Sequence, residues 1–504
     1  MSPKADSWLL VQWDYCVLSL LMMIATALRF HAISDQPLWY DEAITWAIGK
    51  QTPYFIVFHI PKVETNPFLF YIAIHYTILI FGETEFALRL LSALATILAV
   101  PVVYFIGRAF ASKTTGVIGA ALLAVNPISL QFAQEARAYA AVSLFEGLAT
   151  FGLLLAVSNT RPTSSATFNK KYTKGLLIFS LFSVLSFYLH YTYLFFIVIC
   201  YIVLLFVASV NFAHTNWRHL LLSMAFVLIC LGPGIHDMLL LAHAPNIAFM
   251  VRPSVSSALD EILANYGFAF IFRLRPFLSA SFVLSTIIYA AYRGRHCVAV
   301  LAAIGLVIGF PALLYLISFF RPIFRYNVIT PPVVIFSFLA GFAISSIPNS
   351  YSRRGAAVLA SALMLMTSVQ YYSWNRKDAN DKAVQYVERH IGNHDIVVGT
   401  EGVFYYRERY DLRFPFILAT GFKYPHGLGT FGSIPSAAPC HALEQLMHSE
   451  SPLYRNAYLV LRPSFRWYFA ATADGKLKPV AKFRNVEVFK TPLKSFDAKC
   501  AFTN

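Results

Sequence analysis

Stretches of roughly twenty apolar residues recur from the N-terminus to about residue 373, separated by short polar turns. A run of that length crosses the hydrocarbon core of a bilayer as a helix, and only a helix satisfies its backbone there. The pattern predicts about eleven transmembrane helices, at approximately 15–32, 86–107, 114–131, 137–157, 175–190, 191–210, 219–241, 277–292, 297–319, 327–347 and 355–373. The first run resembles a signal-peptide core, but no small-residue cleavage site follows, so it reads as a retained span. From Asn375 the pattern changes. Ala383, Val384, Tyr386, Val387 and Ile391 have helical spacing, and strand-like runs follow at 396–398, 458–461 and 486–489. The expected fold class is an all-α polytopic membrane domain over 1–374, including an outer loop at 33–85, and then a small extracytoplasmic α/β domain over 375–504.

Composition agrees: 58% of residues are hydrophobic and 13% charged, so the bilayer must serve as solvent for most of the chain. The formal charge of +15 would suit nucleic acid, but the basic residues fall in short clusters between apolar runs. Arg108 with Lys113, then Arg161, Lys170, Lys171 and Lys174, then Arg218, Arg293 with Arg295, and Arg353 with Arg354 all occupy loops on one side of the predicted spans. By the positive-inside tendency that side is cytoplasmic. The N-terminus then lies in the cytoplasm of an inner or cell membrane and the tail faces the periplasm or exterior. Membrane lipid is an expected partner and nucleic acid is not. Cys16, Cys200, Cys230 and Cys297 lie in or beside apolar runs without metal-ligand spacing, and only Cys440 and Cys500, in the polar tail, could form a disulfide.

Candidate chemistry concentrates in the outward loops. Tyr40-Asp41-Glu42 places adjacent carboxylates at headgroup level, where one could act as a general base; the plainer reading is that Asp41 starts a helix at 42–50 as its N-cap. Asn66 precedes a segment, Phe68 to Phe81, read as amphipathic and interfacial, and His75 within it reads first as a packed histidine. Glu85 and Arg89, four residues apart, suit a local ion pair. Glu135, Arg137 and Tyr139 stand at an outer turn, where unpaired charges are costly; an interfacial anchor and a phosphate site are both open readings. His190 and Tyr191 mark the next outer turn. Arg321, Arg325 and Tyr326 place two guanidiniums outside, against the charge rule, as a lipid phosphate would require.

In order, Leu38-Trp39-Tyr40-Asp41-Glu42, Asn66-Pro67, Gly82 to Leu90, Gln134 to Tyr139, His190-Tyr191 and Arg325-Tyr326 resemble the membrane glycosyltransferases of the C-type fold. The similarity is to the branch with the protein O-mannosyltransferases and the lipid A aminoarabinose transferase, and it covers about residues 15 to 350. It implies that Asp41, with Glu42 adjacent, deprotonates the acceptor, and that Glu135 is a second acidic position. Arg89, Arg137, Arg321 and Arg325 would hold the donor phosphate. Asn66 stands where that family often has histidine.

The resemblance implies an inverting displacement that moves a sugar from a polyprenyl-monophosphate carrier to a glycolipid such as lipid A, a polysaccharide or a protein hydroxyl. With arginines to stabilise the leaving phosphate, no metal and no cofactor are expected. Three rivals remain: a lipid-linked sugar transporter or flippase, a diphosphate-carrier oligosaccharide polymerase or ligase, and a structural assembly subunit. A transporter would require polar groups near the bilayer midplane.

Overall fold

The computed structural model describes residues 3–62, 64, 66–160, 170–241, 252–268, 275–373, 377–419, 433–434, 454–461 and 478–492. Cys440 and Cys500 lie outside these residues. The described helices run α1 Pro3–Phe30, α2 Tyr40–Gly49, α3 Pro53–Phe58, α4 Phe68–Phe81, α5 Glu85–Phe110, α6 Lys113–Ala124, α7 Pro127–Ala133, α8 Tyr139–Ser158 and α9 Lys170–Phe187. They continue as α10 Tyr193–Val210, α11 Trp217–Leu241, α12 Val255–Tyr266, α13 Arg275–Arg293, α14 Val298–Ile317, α15 Val333–Ser345, α16 Ser350–Ser373, α17 Asn380–His390 and α18 Glu401–Arg409. The strands are β1 Asp395–Gly399, β2 Phe416–Ala419, β3 Ser433–Ile434, β4 Asn456–Leu461, β5 Ala481–Phe483 and β6 Val486–Pro492.

All eleven predicted spans fall on helices. Among the described residues, six (α5, α8, α10, α11, α14 and α16) are long and apolar enough to cross a membrane, or seven if α6 and α7 form one span. The protein is thus an integral membrane protein. The run expected as one straight span at 114–131 is bent by 55° between α6 and α7. Asn126 caps α7, its side chain accepting from the Ser129 N–H at 2.8 Å, while Pro127 takes the first helical position. Proline supplies no N–H to continue the preceding helix and suits the start of a new one. The segment 68–81 is helical as expected, but it is apolar around its whole circumference rather than amphipathic. Between the spans expected at 219–241 and 277–292 lies a further helix, α12, whose start is capped by Ser254.

The chain divides into two compact units: 1–31, 64–70 and 89–374 form one, and 32–63, 71–88 and 375–504 the other. Most of the outer loop expected with the membrane domain therefore belongs with the tail. In the helical unit, α8 and α9 approach closely at two glycines. A Cβ on Gly152 would lie 2.5 Å from the Phe179 nitrogen, and one on Gly175 would lie 2.6 Å from the Ala156 nitrogen. Small residues let membrane helices gain van der Waals contact that lipid would otherwise supply. Arg29, fully buried, ties α1 to this unit by donating to the carbonyls of Leu123 and Ala124 and to the hydroxyls of Thr96 and Ser129.

The tail-containing unit carries a sheet ordered β3-β2-β1-β4-β6-β5. β1 pairs in parallel with β2 and β4, and β6 runs antiparallel to β4 and β5. The β1-to-β2 connection passes through α18, as a parallel crossover demands. The β-rich runs expected at 396–398, 458–461 and 486–489 are β1, β4 and β6, and the helical spacing at 383–391 is α17, which buries Ala383, Val384 and Val387. Trp46, fully buried, donates to the Glu83 carboxylate at 2.7 Å and meets the ring of Tyr405 edge-on. Tyr405 donates to the Glu83 carbonyl, while Tyr406 accepts from the Leu38 N–H and donates to Glu85.

Candidate active site

In the tail-containing unit, Tyr40, Asp41 and Glu42 form the first turn of α2. The helix starts two residues earlier than expected, and it is Glu42 rather than Asp41 that caps it, accepting from the Trp39 N–H at 3.3 Å. The same carboxylate, wholly buried, accepts from Lys377 at 2.8 Å. Glu42 is thus engaged by the fold; Asp41 is half-buried, and its carbonyl accepts from Thr45. His75 packs as the plainer reading expects, its Nδ1 lying 2.9 Å from the Gly49 carbonyl. Glu85 pairs with Arg409 at 3.1 Å as well as with Tyr406.

The other candidates belong to the helical unit. The turn between α7 and α8 carries Glu135 and Arg137, both buried. Gln131 donates to Glu135 at 3.1 Å, and the Arg137 carbonyl accepts from Ser92 on α5 at 3.1 Å, so this turn is held from two sides. The Arg137 guanidinium stands 6.0 Å from the Tyr139 ring centre, and its charge acts on His190. Tyr139 in turn lies 5.5 Å from the His190 ring and 5.3 Å from Phe132, and Phe132 stacks at 6.0 Å on Tyr326. His190 is fixed by Thr192, with Nδ1 and Oγ1 2.7 Å apart. Three turns that are distant in sequence thereby converge: Arg137 with Tyr139, His190, and Tyr326.

Arg89 is buried on α5. Arg325 is exposed and Arg321 half-buried in the turn after α14. Tyr191 packs on Phe187, and Asn66 is held by Glu64 through both its backbone and side-chain nitrogens.

Four neighbours were not singled out in the sequence. Phe132 is the aromatic hub, and Asn327 donates to the Tyr139 hydroxyl at 2.6 Å. Asn265 on α12 donates to the Tyr326 carbonyl and accepts from Thr330. Glu261, one turn earlier on α12, has its carboxyl pushed up to about 7 by burial, against the opposing influence of Arg325 and with added repulsion from Asp260. The spacing of Ala258, Ile262 and Asn265 is the signal that could have revealed α12.

Chemically, this is a guanidinium backed by aromatic faces and by hydroxyl and amide groups. Such a set suits an oxyanion and a sugar ring better than an apolar ligand alone. Among the described residues, no group of three His, Cys, Asp or Glu side chains is placed to hold a metal ion.

A family model described as dolichyl-phosphate-mannose-protein mannosyltransferase matches residues 65–235. ArnT from Cupriavidus metallidurans, solved with undecaprenyl phosphate, superposes with a TM-score of 0.60 at 13% identity, covering 94% of this chain and 97% of that one. Its apo form gives 0.61 at 14% identity, covering 98% and 99%. The archaeal oligosaccharyltransferase AglB from Archaeoglobus fulgidus, solved with an inhibitory peptide and a dolichol phosphate, gives 0.55 at 14% identity, covering 97% and 77%. No curated protein sequence matches the chain. Sequence family and solved structures converge on what the ordered motifs imply: this chain is a membrane protein of the C-type glycosyltransferase fold, similar to the branch that contains the protein O-mannosyltransferases and the aminoarabinose transferase of lipid A.

Proposed function

We propose that the protein transfers a sugar from a polyprenyl-monophosphate carrier to an acceptor on the extracytoplasmic side, with inversion at the anomeric carbon. The observation that carries this reading is the buried Arg137, backed by Tyr139 and grouped with His190 and Tyr326. A buried guanidinium on a turn held from two sides is preorganised for a phosphate whose charge grows as the glycosidic bond breaks. The matched relatives solved with undecaprenyl and dolichol phosphates favour the same donor class.

In this reaction Asp41 accepts the acceptor's hydroxyl proton. The freed oxygen forms a bond to the anomeric carbon, and the carbon–oxygen bond to phosphate breaks from the opposite face, its electron pair leaving with the polyprenyl phosphate. Arg89, Arg137, Arg321 and Arg325 stabilise that leaving charge, so the mechanism requires no divalent ion. Acceptors of matching chemistry are lipid A, another glycolipid, a polysaccharide or a protein hydroxyl. The N-terminus lies in the cytoplasm and the tail outside, as the basic loops favour.

The test is transfer by purified protein in lipid, using a panel of polyprenyl-monophosphate sugars and these acceptors, with and without a chelator. Turnover that survives chelation and disappears in Asp41→Asn supports the scheme. Loss on chelation rejects the metal-free step, and full activity in Asp41→Asn removes Asp41 as base.

A further inference from the structure

One polar cluster plays no part in that chemistry. Glu146 is the eighth of twenty residues in α8, an apolar helix long enough to cross the membrane, and it is fully buried. Thr150 lies one turn further on, and Ser183 and Ser186 lie on α9; all three are fully buried. The Tyr193 hydroxyl, at the start of α10, faces Ser183 and Ser186 and interacts with Glu146. Both Glu146 carboxylate oxygens and the Thr150 hydroxyl are buried, with no hydrogen-bond partner among the described residues.

A buried carboxylate without a hydrogen-bond partner is expensive. A buried hydroxyl without a partner is costly, and an ionised carboxylate without a counter-charge is costlier still. Among the described residues no lysine or arginine acts on Glu146. A ligand that meets carboxylate and hydroxyl oxygens together and supplies one positive charge removes both costs.

Oxygen donors select hard cations over soft ones. A single carboxylate balances one positive charge, whereas the divalent ions that oxygen sites hold usually draw on more carboxylates. We propose that Glu146, Thr150, Ser183, Ser186 and Tyr193 form an intramembrane site for a monovalent cation of the sodium class. The cation knits α8, α9 and α10 together where the Glu146 carboxylate would otherwise lie among hydroxyls without a counter-charge. Ionisable groups inside spans are rare, and ion and proton pathways are among the functions they mark.

The test uses the full-length protein in detergent or lipid without any sugar donor, so it stands apart from the transferase reading. Melting temperature is followed as sodium chloride replaces choline chloride at constant ionic strength. A ligand that binds only the folded state raises it in a saturable way. The wild type should show that rise, Glu146→Gln should lose it, and Ser183→Ala should raise the half-saturating sodium concentration about tenfold, as loss of one charge-assisted oxygen contact implies. Equal melting in sodium and choline overturns the proposal, leaving a protonated Glu146 bridged by water. So does a sodium response retained in Glu146→Gln. Should Glu146→Gln fail to fold, an unchanged sodium dependence in Ser183→Ala overturns it equally.

Discussion

Lys377 donates to Glu42 at 2.8 Å in an ion pair whose two side chains are 6% and 0% exposed, across 335 residues of sequence. This pair joins the turn that carries Asp41 to the start of the tail, so the proposed base is positioned by a contact that no local pattern contains. Removing one partner of a buried pair leaves an uncompensated charge at a cost of about 3–5 kcal/mol. Lys377→Met should therefore lower thermal stability sharply, and Lys377→Met with Glu42→Gln should recover part of the loss. Asp41→Asn, by contrast, should melt like wild type while losing transfer. Equal melting of Lys377→Met and wild type would refute the structural role given to Glu42.

Arg137 offers a second test. Replacing a preorganised donor to a developing oxyanion typically lowers kcat by about 10²–10³. Arg137→Gln should do so, and Arg137→Lys should recover only part of the rate, because an ammonium lacks the planar fork that backs onto Tyr139. A variant affected only in KM would show that Arg137 binds the ground state and not the departing phosphate.

If Arg325 binds the donor phosphate as proposed, Glu261 makes donor binding sensitive to pH. Its carboxyl, raised by burial to about 7, is neutral below that value and leaves the Arg325 charge available; above it, the carboxylate offsets that charge. Donor KM should rise between about pH 6 and pH 8, spanning the raised value with one unit on either side. Glu261→Gln should flatten that limb. A KM that rises identically in the variant would assign the effect to another group.

At the base of the sheet, Asp395 begins β1. Burial alone would raise its pKa, but hydrogen bonds from Asn456, the Gly392 N–H and Lys490 outweigh that and hold it below the ordinary carboxylate value. A lowered native value contributes stability that is present above the unfolded pKa, near 3.9, and is lost as pH falls through the native one. Acid unfolding of the tail should therefore begin at higher pH in Asn456→Ala, where one of those bonds is gone. Intrinsic fluorescence during acid titration would report it, and superimposable acid limbs would count against the assignment.

The α8–α9 contact gives a packing test. A leucine at Gly152 must displace the α9 backbone, because even its first carbon would lie 2.5 Å from the Phe179 nitrogen. Overpacking of this kind costs typically about 1–3 kcal/mol, and more where backbone must move. Gly152→Leu should lower the melting temperature in detergent, whereas a similar change at Gly232, which faces open space, should not. Matching losses at both positions would show that the loss does not come from the α8–α9 contact.

Length and apolarity settled the membrane helices, because a bilayer enforces the same rule at every position: a span must be long, greasy and internally hydrogen-bonded. That is why all eleven predicted segments lie on helices, and why α17, β1, β4 and β6 were legible from their periodicity. The order of motifs also pointed to the C-type fold before any coordinates. What sequence could not decide depended on partners far along the chain. The bend at Asn126-Pro127, the capture of Glu42 by Lys377, and the seating of Arg137 beside Tyr139 and His190 each need a neighbour or an angle that local pattern leaves open. Glu146 shows the same limit: in the sequence it is one acid in an apolar run, and only the packing of α9 and α10 around it surrounds its carboxylate with buried hydroxyls. Hydrophobic burial is non-directional and can be read from composition, whereas charges and hydrogen bonds act at fixed distances that tertiary structure alone establishes.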